Sequence, residues 1–316
     1  MHLTINNLVL FGVASTWLKP LWLVGLGVVI ALAFFAIIIA LLNWVSPKVA
    51  AIARTTAKEA ASQPLFYVIL AIGIFGLIFF PFVPYNTFGE DIKMLKDTGL
   101  TLIMILTAIL ALWTASVSIA DEIEGRTALT LLSKPVSRRQ FIVGKFLGIL
   151  GPVVILFIVF GAIFLASISF KVVYDARETS RAEPTWQECQ QEMQQIAPGL
   201  ALAFMETTVL TAISVAISTR LPMMANLIIC GAIYVLGHLV PMLANSALGQ
   251  IEHVGSVAGL LAAVLPVLEH FNIFTAIATG QHVPLTYLGL AGVYCLLYSC
   301  LAMVVALLLF EDRDLA

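Results

Sequence analysis

An all-α polytopic membrane fold is predicted by three features of this sequence. The chain is 61% hydrophobic and only 11% charged. Its mean hydropathy is +1.03, and its apolar residues fall in repeated runs near the spanning length. A water-soluble domain needs more polar surface than this ratio supplies. A helix of about 20 apolar residues crosses the bilayer core and satisfies its own backbone hydrogen bonds there. A β-barrel would need short alternating segments, which are absent from the sequence. Nor is there a basic surface of the kind that binds nucleic acid.

Each element follows from local pattern. Leu21–Trp44 is the first expected span, too long for a signal-peptide core and without a small-residue cleavage signal, so it reads as a retained helix. Ser46–Gln63 alternates Ala and Ile with Lys48, Arg54, Lys58 and Glu59, which suits an interfacial helix in the headgroups. Leu65–Phe80, Thr98–Ile119, Leu147–Phe170, Gly199–Ser218, Met223–Val240 and Leu285–Phe310 are the further spans. Lys171–Pro198 reads as a hydrophilic external loop, in which Thr185 and Glu188 form a T-x-x-E capping box for a short solvated helix. Val254–Leu265 is apolar but cut by Pro266, Glu269 and His270, so a half-helix before the last span is favoured over an eighth crossing. Cys230, Cys295 and Cys300 lie in apolar runs and Cys189 in a polar stretch, and no CxxC pair or disulfide framework is implied.

Charge sets the expected orientation. With the N-terminus outside, the cytoplasmic segments hold 10 Lys and Arg residues and the external ones 6. The most charged and most punctuated stretch, Asp121–Gly148, is then cytoplasmic. Asp121, Glu122 and Glu124 mark its entry, and Gly125 permits a sharp turn. Thr127–Ser133 is a short apolar-leaning helix stopped by Lys134–Pro135. Ser137 and Gln140 form a capping box, and Val136 and Phe141 a hydrophobic staple. Arg138, Arg139 and Lys145 are expected on one side of the next helix, which turns into the bilayer at Gly144 and Gly148. An ordinary connector obeying the charge rule needs neither two short helices nor a stapled corner. A surface that receives force from a partner needs both.

Residues 122–148, EIEGRTALTLLSKPVSRRQFIVGKFLG, resemble the signature of ABC-2 type transporter permeases. IARTTAKEAASQPLFYV (52–68) is similar to that family's connecting helix, ISTRLPMMA (217–225) to its turn between the fourth and fifth core spans, and LLLFEDRDL (307–315) to the end of its sixth. The resemblance implies a six-helix core over 46–316, with residues 1–45 adding one transmembrane helix in front. It also implies a second permease copy, as a homodimer or heterodimer, and an ABC ATPase subunit on the cytoplasmic face. Glu122, Glu124, Gly125, Thr127, Leu131, Leu132, Lys134, Pro135, Ser137 and Arg138 would engage that ATPase. The chain has no G-x-x-x-x-G-K-[ST] phosphate loop, so it is expected to hold no cofactor, with ATP and Mg on the partner subunit. The expected location is a cell membrane, the inner one of a bacterium. Known members move lipids, polysaccharides, drugs or maturation factors, and the resemblance does not choose among these.

A different class of function is an ion-coupled transporter or membrane-embedded enzyme built on Glu206, an ionisable residue within an expected span. Thr207, Thr211, Ser214 and Ser218 would form a polar stripe beside it. The blander reading has Glu206 snorkelling to the outer interface or hydrogen-bonding to a neighbouring helix. No HExxH, paired carboxylates or Ser/His constellation supports an enzyme. Tyr287, Tyr294 and Tyr298 share one helix face, where packing is the default reading. Gly25, Gly27, Gly73, Gly76, Gly289 and Gly292 are expected to allow close helix contacts.

Overall fold

The long apolar runs fold as helices. The computed structural model describes residues 16–85, 90–124, 137–244, 259, 261 and 264–311, with the backbone alone for 120–124, 241–244 and 311. The elements are α1 (Leu21–Val45), α2 (Pro47–Ser62), α3 (Pro64–Phe79), α4 (Asp91–Glu124), α5 (Arg138–Glu178), α6 (Trp186–Ser218), α7 (Met223–Ala244), α8 (Phe274–Ala278) and α9 (Leu285–Glu311). Among the described residues, seven helices are long and apolar enough to cross a membrane. The protein is a multi-pass integral membrane protein of all-α class.

α6 is the central helix, packed against α4, α5 and α9. Its buried face includes Leu202, Ala203, Val209, Leu210 and Ala212, which join Leu100, Ile103, Val153, Phe160 and Phe164 in the main core. A smaller apolar cluster closes one end of the bundle, where Phe141 stacks on Phe310 at 5.8 Å. α1 contributes no buried residue to the bundle. Among the described residues, Gly25, Gly27 and Gly289 face nothing within 4 Å, so the close contacts expected of them are not made there, whereas Gly73 faces Phe160 and Gly76 faces Leu102.

Three sequence expectations are corrected by the fold. First, Gly144 and Gly148 do not turn the chain into the bilayer but receive α2. Its apolar side (Val49, Ala50, Ala53, Thr56, Ala60) is buried, and it docks on Gly144, Gly148 and Gly151 of α5. A Cβ at Gly144 would sit 2.8 Å from the Ile52 side chain, and one at Gly148 would sit 2.8 Å from the Ala53 carbonyl oxygen. These glycines therefore serve close packing, and α5 runs unbroken from Arg138 to Glu178 with no turn at either. Second, Lys145 does not share an exposed side with Arg138 and Arg139. It is 3% exposed, and its ammonium donates to Ser118 Oγ at 3.0 Å.

Third, Lys171–Pro198 is no loop. α5 continues to Glu178, Thr185 caps a helix that runs through Pro198 into the membrane, and only a short turn joins the two. Cys189 is accordingly buried against Val172 and Val173. All four cysteines are free.

The described segment before α9 is irregular and packs Leu268, Phe271, Phe274 and Ile277 into the core. Leu268–Phe271 forms one 3-10 turn and Phe274–Ala278 a short helix, which Gly280 ends at a φ of 77°. Unpaired backbone groups are costly at membrane depth, and the α9 tyrosines satisfy several of them. Tyr294 Oη accepts from the Val267 N–H at 2.9 Å, Tyr287 donates to the His270 carbonyl at 2.7 Å, and Tyr298 donates to the Val264 carbonyl at 3.2 Å. The tyrosine stripe is thus a latch on this segment. Replacing Tyr294 with phenylalanine leaves a part-buried N–H without its acceptor. The expected cost is about 1–3 kcal/mol, read as a lower midpoint of thermal unfolding in detergent.

Candidate functional site

Three polar constellations interrupt the apolar bundle. The first is the corner where α5 begins. Ser137 Oγ accepts from the Gln140 N–H at 3.3 Å, and Gln140 Oε1 accepts from the Ser137 N–H at 3.1 Å, so the expected capping box is formed. Arg138 reaches across to the end of α9. Its guanidinium donates to the Phe310 carbonyl at 3.5 Å and lies 5.9 Å from that ring's centre. With Phe141 stacked on the same ring, the start of α5 is fixed to the last span. Gly125, Thr127, Leu131, Leu132, Lys134, Pro135 and the staple residue Val136 lie outside the described residues, and for Glu122 and Glu124 only the helical backbone is described.

The second constellation lies in the transmembrane core. Thr207, Thr211, Ser214 and Ser218 are all fully buried, and the stripe they form faces α4 and α7. The hydroxyls of Thr107 and Thr207 meet at 3.4 Å. Asn226 Nδ2 donates within a cluster of serine hydroxyls, 2.7 Å from Ser116 and 2.8 Å from both Ser214 and Ser218. Its Oδ1 accepts from the Cys230 thiol at 3.2 Å. One amide therefore ties α4, α6 and α7 together. Sequence pattern does not single out Asn226, although a lone amide in an apolar run is the signal that could find it.

Glu206 belongs to the same seam. It does not snorkel, because its side chain is fully buried. At 1.5 Å per residue it stands about 18 Å from the Ser218 end of α6, well inside that candidate span. Its carboxylate lies 3.3 Å from His238 Nε2 on α7. His238 is equally inconspicuous in the sequence, since the pairing is between helices and leaves no local signature.

The third constellation is at the opposite end of the bundle from Arg138. Lys96, 2% exposed, is ion-paired with Glu192, and its ammonium donates to Gln195 Oε1 at 2.7 Å. Lys171 is paired with Asp91 at 3.5 Å and lies 5.1 Å from the Tyr174 ring centre. Asp91, Asp175 and Glu178 bring carboxylate oxygens within 4.8 Å of one another, and the Lys171 ammonium supplies counter-charge there. The two partners of the first pair are not equivalent. Glu192 is 32% exposed and Lys96 is enclosed. Glu192→Leu, which strands a buried ammonium, is expected to cost toward the low end of about 3–5 kcal/mol, because Gln195 remains. Lys96→Met leaves a carboxylate that water reaches and is expected to cost far less. Urea-free thermal melts of the two variants check the order.

No match is found among curated proteins. The family model for ABC-2 family transporter proteins matches residues 81–315. The chain belongs to the ABC-2 transporter family. As an ABC-2 permease it is the membrane component of a transporter, a class to which seven spanning helices and a polar core seam are suited. The match takes in the corner at Ser137 and Arg138, the Asn226 knot and the Glu206–His238 pair, and it leaves α1, α2 and α3 outside it.

Proposed function

We propose that this permease moves its substrate with energy delivered by a separate ABC ATPase subunit, received at 121–148 on the cytoplasmic face. The observation that carries this reading is the Ser137 corner. A helix start that is capped, bonded by Arg138 to the end of α9 and packed at its glycine face on α2 is tied to two other elements. A push at 121–137 would reach both α5 and α9. The absent phosphate loop supports an external source of energy, with ATP and Mg held by the partner. The charge bias supports the cytoplasmic placement. The unpaired apolar face of α9, with Leu290, Leu297, Leu301 and Leu308 exposed, supports contact with lipid or a second permease copy.

Affinity purification of the full chain from its native membrane, followed by ATP hydrolysis assays on the eluate, tests the reading. An ATP-hydrolysing subunit is expected to copurify in proportion to the permease. An eluate with the permease alone and no hydrolysis overturns it.

A further inference from the structure

The coupling corner makes no use of the buried pair of titratable groups in the core. Glu206 and His238 face each other across the α6–α7 contact, 3.3 Å apart between Oε1 and Nε2. Among the described residues, neither carboxylate oxygen has a hydrogen-bond partner, and neither has Nε2. The other ring nitrogen, Nδ1, lies 3.0 Å from the Tyr234 carbonyl oxygen. A carbonyl only accepts, so Nδ1 carries a hydrogen and donates it. Nε2 therefore presents either a lone pair or a second N–H to Glu206.

The proton count between them follows from electrostatics. With no proton, a carboxylate would lie against a nitrogen lone pair, unpaired and out of water, at a cost that isolated buried charges do not sustain. With two protons, an imidazolium would face a neutral acid and leave an unpaired positive charge. With one proton the pair is neutral overall, either as carboxylate and imidazolium or as acid and imidazole, and the facing atoms gain a hydrogen bond. On the described parts of α7, of α9 and of the segment before α8, the other titratable groups are Cys230 and Tyr234, then Tyr287, Tyr294, Cys295, Tyr298 and Cys300, and lastly Glu269 and His270. The membrane-depth stretches of α4 (98–120) and α5 (146–170) contain no Asp, Glu, Lys, Arg or His. Cys295 is committed to the Met205 carbonyl at 3.4 Å, and Tyr294 and Tyr298 to the latched backbone.

We infer that Glu206 and His238 form an intramembrane binding site for a single proton, which joins α6 to α7. Its loss leaves a net negative charge between the two helices, so deprotonation loosens this contact. When α7 moves away from α6, the proton goes with Glu206, because a neutral imidazole is cheaper to leave in apolar surroundings than a lone carboxylate. The inference rests on the geometry of the pair and not on the ATPase reading, and its test requires no ATPase.

The full chain, labelled with 15N at its histidines and held in lipid nanodiscs, gives a direct readout, with H238Q used to identify the His238 signals. In wild type, Nδ1 is expected to be protonated and Nε2 to share a proton with Glu206. In E206Q, Nε2 is expected to revert to an unprotonated nitrogen at the same pH. Identical His238 signals in wild type and E206Q overturn the inference, as does an unprotonated Nε2 beside an ionised Glu206 in wild type. If H238Q does not fold, the signal that changes in E206Q makes the assignment. If neither variant folds, wild type labelled with 13C at its glutamate carboxyls decides. A Glu signal in proton exchange with a histidine ring supports the site, and its absence overturns it.

Discussion

A chain carrying Gly125→Val and Pro135→Ala is expected to reach the membrane and keep its ATPase partner, but to lose at least about tenfold of the permease-dependent stimulation of ATP hydrolysis. That corresponds to about 1.4 kcal/mol of coupling at the rate-limiting step. The two positions lie outside the described residues, and the expectation comes from their chemistry beside a corner that is described. Gly125 tolerates backbone angles closed to valine, and Pro135 keeps the preceding residue out of the helical region. Both substitutions favour continuing a helix between Glu124 and the Ser137 cap. That cap and the Arg138 contact to Phe310 lie downstream and would remain, so folding of the bundle is spared. Hydrolysis by the copurified complex is compared with that of the ATPase alone. Unchanged stimulation in the double variant would remove 121–148 from the path of energy transfer.

Gly148→Leu is expected to prevent folded permease from accumulating. A Cβ there would lie 2.6 Å from Thr56 Cβ and 2.8 Å from the Ala53 carbonyl oxygen. Backbone cannot rotate away as a side-chain end does, so α2 has to lift from α5. The buried side of α2 (Val49, Ala50, Ala53, Thr56, Ala60) would then lose its contact. Overpacking alone costs about 1–3 kcal/mol, and separation of a whole helix adds the loss of its packing. Gly25→Leu is the matched control, since nothing lies within 4 Å of Gly25. It is expected to behave as wild type. Fluorescence-detected size-exclusion chromatography of detergent extracts compares the two: a monodisperse peak for Gly25→Leu and its loss for Gly148→Leu.

Several features are legible in the sequence because their causes are local. Hydropathy and length alone locate the seven spans, and Leu285–Phe310 has the same bounds in sequence and structure. The Ser137 and Thr185 caps are legible because a cap is a contact between residues three apart. The break before the last span is legible from Pro266, Glu269 and His270, which sit badly in a crossing helix, whereas the half-helix expected at Val254–Leu265 lies largely outside the described residues. The family signature is legible because its residues are contiguous.

The misreadings share a physical origin. The geometry of their own helix suggests one role for Lys145, Gly144 and Gly148, but Ser118 on α4 and the packing of α2 give them another. Polar composition suggests solvent, and so a loop, for Lys171 and Cys189. There the chain instead extends two helices and buries charge in pairs with Asp91 and Glu192. Glu206 stands out in its apolar run, whereas His238 and Asn226, 32 and 20 residues further along, do not. The spans, the caps, the break at Pro266 and the family follow from sequence alone. Which polar groups meet across helices is settled only by the packing of the bundle. In a bilayer every helix presents similar apolar surface, so partner choice rests on small residues and rare polar side chains whose spacing in the chain carries no period.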